Sequence, residues 1–397
     1  MSTNPNHEPW LDAWAEKLAK PRRYCARCVY DENTPGIHFD ADGVCNYCAL
    51  SDQLNREYPA GDEGAVRLRS MAEAIRADGK GKKYDVIVGV SGGCDSSLML
   101  MQAVDLGLRP LAVHFDNTWD SVTAVENIHH VLKALNVELH TLVVDNREYD
   151  DIERAFIMSG TPDLDTPTDI GLASTLYLAA VKYGVKHIFE GHSFRTEGVN
   201  PLGWQYMDAK YIQSVHRQYG ALPMKTFPNM WLTSQIHWRV IRRIRMHRPL
   251  YHLDHVKEQS KRMLAERFGW QWYGGHHLEN RLTAFTHYYF APRRLQADYR
   301  INGFAALVRA GQMDRADAID QLSRPQQIDW EIVEMFKKRL GFGEEEFERC
   351  MSQPLRTYRD FKTYKRTFER LRPLIKIAAD HDLVPRSFYL KYACKQD

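Results

Sequence analysis

The sequence predicts an α/β protein built on a parallel sheet, with a small cysteine module before it and a mostly helical region after it. Three observations carry that reading. Short apolar runs alternate with segments of helical spacing from about residue 84 to residue 190, two Cys-x-x-Cys pairs precede them, and beyond about Arg245 the spacing is helical and the composition aromatic and basic. The expected division is 1–55 for an N-terminal helix and four-cysteine module, 56–245 for the α/β domain, and 246–397 for a C-terminal region that completes the active site.

Composition sets the outer bounds. A chain of 397 residues that is 44% hydrophobic buries a substantial core. Its 53 Lys and Arg against 51 Asp and Glu leave a formal charge of +2, without the excess that marks a nucleic-acid binder, so nucleic acid is not an expected partner. Glu8, Asp12 and Glu16 interrupt the N-terminal apolar residues, and no uncharged stretch reaches the length of a signal core or a membrane span. The expectation is a cytoplasmic protein with no membrane partner.

Residues 1–23 read as an amphipathic helix, with Trp10, Leu11, Trp14 and Leu18 on one side, closed by Pro21-Arg22-Arg23. Cys25 and Cys28 are then separated by 16 residues from Cys45 and Cys48. Gly36, Asp42-Gly43 and Asn46 supply turn chemistry between the pairs, so two short knuckles are able to present four thiolates tetrahedrally. A structural Zn²⁺ is the leading reading, and an iron–sulfur centre uses the same donors. The three remaining cysteines are scattered, which argues against a disulfide framework.

A polar helical connector runs from about Leu50 to Lys83. Strands follow at Tyr84–Val90, Pro110–Phe115, Leu139–Val144 and His187–Phe189, with helices at Ser97–Leu106, Val122–Leu135 and Gly171–Tyr183. Between the first strand and first helix lies Ser91-Gly92-Gly93-Cys94-Asp95-Ser96-Ser97. Paired glycines let backbone N–H groups converge, the three serines surround that point, and the helix N-terminus adds partial positive charge, so the loop suits a phosphate. Asp95 would repel the anion unless it holds Mg²⁺ or caps the helix. The loop lacks the ending of a Walker A motif and the spacing of a dinucleotide fingerprint. Polar groups at the end of the second strand, His114, Asp116 and Asn117, are expected beside a bound nucleotide. Further helices are expected at 313–322, 330–339 and 359–379.

The loop resembles the Ser-Gly-Gly-x-Asp-Ser loop of the PP-loop, N-type ATP pyrophosphatases, which implies the adenine nucleotide alpha hydrolase-like (HUP-type) fold and an ATP that is split between its α- and β-phosphates. Taken with the cysteine pairs, Thr166-Pro167-Thr168-Asp169, Gly191-His192-Ser193-Phe194-Arg195-Thr196-Glu197-Gly198, and Tyr273-Gly274-Gly275 with His277 and Glu279, the chain resembles the N-acetyl sugar amidotransferases of surface-polysaccharide (O-antigen) and flagellin-glycan biosynthesis over nearly its whole length after residue 20. The resemblance implies conversion of an acetamido group on a nucleotide-activated sugar to an acetamidino group, with ATP, Mg²⁺ and structural Zn²⁺ as cofactors. Ammonia would come from a separate glutamine amidotransferase subunit, because no glutaminase segment is recognisable.

On that resemblance Ser91, Gly92, Gly93, Asp95, Ser96, Ser97, His114, Asp116, Asn117, Gly191 and His192 bind the nucleotide. Asp95, Arg195, Glu197, His277 and Glu279 are the catalytic candidates, with Arg195 toward phosphate or adenylate and Glu197 as its orienting partner or as a base. His276 adds a further proton-transfer group. The chain departs from the family where a loop lysine is replaced by Cys94, where another lysine is replaced by His276, and at Asp298-Tyr299-Arg300. Those lost charges open the acceptor's identity. The alternatives are a tRNA-thiolating PP-loop enzyme, an amidine-forming enzyme acting on a non-sugar metabolite, and a non-catalytic nucleotide-binding module; only Cys94, Cys350 and Cys394 remain to carry sulfur, and no second Cys-x-x-Cys is present.

Overall fold

A computed structural model describes residues 8–201, 204–275, 277–380, 384 and 388–394. After helix α1 (Pro9–Ala19), whose Trp14 and Leu18 are buried, come the cysteine knuckles and the connector helices α2 (Asn46–Glu57) and α3 (Gly61–Asp78). The sheet then alternates with helices: β1 (Val86–Gly89), α4 (Cys94–Asp105), β2 (Pro110–Asp116), α5 (Val122–Leu135), β3 (Leu139–Val143), α6 (Asn146–Ser159), α7 (Thr166–Tyr183) and β4 (His187–Phe189). Next are α8 (Ala209–Tyr219), α9 (Leu232–Ile236) running into a wider turn at His237–Ile241, and a strand the sequence did not announce, β5 (Arg245–His247). All pairings are parallel, in the order β3-β2-β1-β4-β5.

The inner strands β1 and β2 are buried along almost their whole length, as continuous apolar runs between two helical layers must be. Their side chains divide by the two-residue period. Ile87, Leu111 and Val113 face one core with Tyr149, Phe156 and Tyr177 from α6 and α7; Val86, Val88 and Ala112 face the other with Leu98, Met99 and Ile128 from α4 and α5. Local signals set the helix ends: Ser121 Oγ accepts from the Ala124 N–H to start α5, and Asn136 in the left-handed region ends it.

The remainder is helical: α10 (Lys257–Phe268), α11 (Arg281–Phe285), α12 (Arg300–Arg309), α13 (Arg315–Leu322), α14 (Trp330–Arg339) and α15 (Glu344–Ser352). The segment expected as one helix over 359–379 is broken, with helices at Lys365–Arg370 and Arg372–Asp380. Phe285 stacks on Phe336 at 3.6 Å between centroids, and both join the core beneath the sheet. Ile301, Ala305, Ala318 and Leu322 of α12 and α13 pack against the buried cysteines and Tyr30, so the cysteine module and these two helices share one small core. Among the described residues no helix is long and apolar enough to cross a membrane.

Candidate active site

The phosphate loop joins β1 to α4 at the carboxyl ends of the strands. Gly92 has φ +78°, and a Cβ there would lie 2.1 Å from the Ala124 carbonyl oxygen, so only glycine fits. The loop is folded on its own hydroxyls: the Ser91 N–H donates to Ser96 Oγ (3.2 Å), the Gly93 N–H to Ser91 Oγ (3.3 Å), and Ser96 Oγ donates to the Gly93 carbonyl (3.2 Å). From outside, Trp270 Nε1 and Asn127 Nδ2 donate to the Gly92 carbonyl at 2.9 and 3.2 Å. No side chain caps α4, which leaves its N-terminal N–H groups facing the loop. Ser97 is buried in the first turn, and Gly191, after β4, lies against the same turn, where a Cβ would stand in ordinary contact with Ser96 Cα at 3.4 Å.

Asp95 is not the helix cap. It is buried, and its Oδ2 accepts from Lys257 Nζ at 3.2 Å while Oδ1 lies 3.5 Å from His255 Nε2. Burial alone would raise its carboxyl, but the charges of Lys257 and His255 outweigh burial and hold it below the usual range. Lys257 is raised in turn, Asp95 and Glu197 overcoming its own burial. Sequence reasoning missed this cation, which stands beside Cys94, where the resembling family has its loop lysine. The signal available was a lysine at the start of an amphipathic helix, indistinguishable in sequence from a surface residue.

Glu197 and the block around Glu279 complete the cluster. Burial and the negative charge of Asp95 push the Glu197 carboxyl up to about 8, so it is mostly protonated at neutral pH. Its Oε2 accepts from the Ser193 N–H at 3.2 Å and lies 3.9 Å from His192 Nε2. His277 Nδ1 stands 3.7 Å from Glu279 Oε1; burial would lower this imidazole, yet Glu279 overrides it and raises it to about 9. Glu279 Oε1 and Tyr273 OH crowd Gly93, each a little over 3 Å from where a Cβ would stand. Glu279 reaches the loop because its segment pairs with the end of β2: the Ser121 N–H donates to the Glu279 carbonyl and the Arg281 N–H to the Trp119 carbonyl, both at 2.8 Å.

The structure therefore gathers Asp95, Glu197, His277 and Glu279 around the loop, with Lys257 and Tyr273 added. Arg195 is the correction. Its guanidinium donates to the carbonyls of Tyr251 and Tyr58 and lies over the Phe194 ring, so it is spent on backbone, and Glu197 is not its partner. His192 Nδ1 meets Tyr251 OH at 3.0 Å, and burial lowers the imidazole to about 4, leaving it neutral. His114 bridges the Val90 carbonyl (2.9 Å) and Asp120 (3.2 Å), which fixes the ring behind the loop. Asp116 Oδ1 accepts from the Thr118 N–H, and Asn117 Oδ1 from the Trp119 N–H and Asn280 Nδ2, so both shape the turn after β2. Asp298 and Arg300 pair with each other at 2.6 Å. His276 lies outside the described residues.

The four cysteines form a second centre. All are buried, with Sγ separations of 3.8 Å (Cys25–Cys48), 3.8 Å (Cys28–Cys45) and 3.7 Å (Cys45–Cys48). Sulfurs about 2.3 Å from one tetrahedral ion stand about 3.8 Å apart, so the set fits a single metal ion; a multi-iron cluster would spread them wider. Backbone N–H groups of Arg27 and Cys45 donate to Cys25 Sγ, and Arg309 approaches Cys28 Sγ at 3.6 Å, offsetting thiolate charge.

Fold and loop together define a parallel-sheet α/β protein with a glycine- and serine-rich loop at its first strand-to-helix junction. Residues 279–374, beginning at Glu279 itself, are similar to the family described as LPS biosynthesis protein WbpG-like, C-terminal domain. Over 172 residues it is 29% identical to uncharacterized protein MJ1599 of Methanocaldococcus jannaschii, a match covering 42% of this chain and 58% of that protein's length. Among solved structures it is similar to a predicted subunit of tRNA methyltransferase from Methanocaldococcus jannaschii (15% identity, 46% of this chain and 74% of that one, TM-score 0.27). It is also similar to NMN synthetase from Francisella tularensis (12% identity, 74% and 97%, TM-score 0.31).

Proposed function

We propose that the chain is an ATP-utilising enzyme that adenylates the amide oxygen of an N-acetyl group on a nucleotide-activated sugar and replaces that oxygen with ammonia. The observation that carries this reading is the convergence of a buried Asp95–Lys257 pair and the proton-transfer set Glu197, His277 and Glu279 on the glycine- and serine-rich loop and the uncapped N-terminus of α4. An amide resists ammonia because its oxygen is a poor leaving group. Attack of that oxygen on the α-phosphorus expels pyrophosphate; ammonia then adds to the O-adenylated carbon and AMP departs, leaving the amidine. Charge grows on the departing pyrophosphate, and the Gly92–Ser96 backbone with Lys257 is placed to stabilise it. Mg²⁺, when bound, would neutralise phosphate charge; Asp95 Oδ1, which lacks a donor among the described residues, is the oxygen to hold it.

Glu197, held protonated, and His277, held as a cation beside Glu279, are suited to donate and accept protons as nitrogen replaces oxygen. The WbpG-like segment supplies Glu279 and supports a surface-polysaccharide substrate. The thiolation alternative is disfavoured because Cys94 is buried, and burial pushes its thiol up to about 12. Zn²⁺ in the cysteine module, a cytoplasmic location, the division at residues 55 and 245, and a separate ammonia-supplying glutaminase belong to the same proposal.

Incubating the protein with ATP, Mg²⁺, ammonium and a panel of N-acetylated nucleotide sugars tests it, with AMP separated from ADP and the sugar weighed. The expected product is AMP and a sugar about one mass unit lighter. ADP in place of AMP would overturn the adenylation, and AMP with an unchanged sugar in every case would overturn the acceptor.

A further inference from the structure

The rim of the sheet opposite the phosphate loop carries charge that the site does not use. No Asp or Glu occurs between Asp208 and Asp254, whereas Arg239, Arg242, Arg243, Arg245 and Arg248 crowd the end of that stretch in a chain whose net charge is only +2. Arg248 is paired with Glu190 and Arg239 lies over Tyr177, but Arg242, Arg243 and Arg245 are exposed and make no ion pair among the described residues. Lys186, whose carbonyl accepts from the Arg245 N–H at 2.8 Å, is exposed beside them.

Into this basic rim project three aliphatic side chains: Ile236, Val240 and Ile241 are 51%, 61% and 67% exposed. They are held in place from behind. Trp238 is buried and stacks on Tyr177 at 5.1 Å, and the Ile244 N–H returns to the Trp238 carbonyl at 2.9 Å, so this helical segment is fixed to the body with its apolar residues outward. Exposed apolar residues grouped in this way mark a contact surface.

We infer that the ridge Ile236–Arg245 docks the protein on an anionic phospholipid surface, with the aliphatic side chains entering the headgroup layer and the arginines meeting lipid phosphate. Aliphatic residues flanked by arginine, in a stretch of sequence without acids and with Asp78 the nearby carboxylate held by His187, suit a negatively charged bilayer. A single-stranded nucleic acid would call for exposed aromatic faces, and the three outward apolar residues have none. Such docking needs no membrane-spanning helix. It also leaves the phosphate loop, at the carboxyl ends of the strands, directed away from the lipid.

The test is co-sedimentation of the full chain at about 0.1 M salt with vesicles of phosphatidylcholine alone or with phosphatidylglycerol added. Binding only to the phosphatidylglycerol vesicles is expected. At about fivefold per basic residue near such a surface, Arg242→Glu with Arg243→Glu should weaken binding by at least about 25-fold. Ile241→Asp should weaken it by about tenfold. Both variants alter exposed residues and should keep the wild-type melting temperature. Equal partitioning onto the two vesicle types, or binding by the variants as tight as wild type, overturns the inference. So does a wild-type dimer that Ile241→Asp dissociates, or tRNA binding that depends on the arginines and displaces the lipid.

Discussion

The cysteine centre and the phosphate-loop centre sit in one molecule and are built in opposite ways. The first takes all its donors from residues 25 to 48, spaces its sulfurs at 3.7 to 3.8 Å, and fits one ion among them. The second collects side chains from near residues 91–97, 197, 255–257 and 273–279, and leaves polar atoms of Asp95, His255 and Glu279 buried without a hydrogen-bond partner among the described residues. Unpaired buried polar atoms are costly, so a site that keeps several is stabilised by the packing around it and holds them for something that arrives. On the proposed function, one centre stabilises the fold and the other draws on that stability.

The largest expected effect breaks the first centre. Cys28→Ser should remove bound zinc and cost several kcal/mol of stability, because metal binding at such a site is folding free energy. Metal analysis and thermal melting check it; a variant that loses ATP turnover at an unchanged melting temperature would put the metal in the chemistry instead. Next in size is the second centre. Lys257→Met should lower ATP turnover by about 10² to 10³-fold with zinc content unchanged, the scale on which a preorganised charge acts on a transition state. Turnover within a few-fold of wild type would move the compensating cation elsewhere.

A smaller effect separates the centres by proton linkage. Glu197 is raised to about 8 by burial and Asp95, and Asp169 to about 7 by burial and Asp165. A carboxyl raised on folding keeps its proton in the folded state, so the folded chain binds more protons than the unfolded one between the ordinary carboxylate range and pH 8. Stability falls as pH rises through that window. His277, raised to about 9 by Glu279 against its burial, acts in the same direction at higher pH, its contribution full below about 6.5 and lost through 9. Urea midpoints in magnesium-free buffer should therefore decline from pH 6 to pH 9, and Glu197→Gln should flatten part of that decline. An equal slope in the variant would show that Glu197 is ionised in the folded chain.

What was legible in the sequence follows the same division. The cysteine ligands, the loop and α5 are local: Ser121 and Asn136 bound α5 at the residues expected, and Gly92 sits where only glycine fits. Lys257 was not legible because 162 residues separate it from Asp95, and nothing in its own neighbourhood marks it. β5 escaped because Arg245-Met246-His247 has no apolar run, and its strand geometry comes from pairing with β4. Arg195 was placed near the loop after β4, but its direction is set by carbonyls of Tyr251 and Tyr58, which the order of residues does not reveal.

The finest distinction is whether the two centres are independent, and Tyr30 decides it. Two residues past Cys28, its hydroxyl donates to the Val199 carbonyl at 3.0 Å and bonds Asn302, whose Nδ2 donates to the Glu197 carbonyl at 3.0 Å. Gly198 between them has φ +90°, and a Cβ there would meet Asn302 Oδ1 at 2.7 Å, so the turn carrying Glu197 rests on the cysteine module. Tyr30→Phe removes one hydroxyl from a buried network and should cost about 1 kcal/mol, with zinc retained. If the module positions Glu197, ATP turnover should also fall a few-fold and its pH profile should shift, because the carboxyl's distance from Asp95 changes. A loss of stability with an unmoved profile would mean that the module only holds the fold, and that the phosphate-loop centre is set by the sheet and α10 alone.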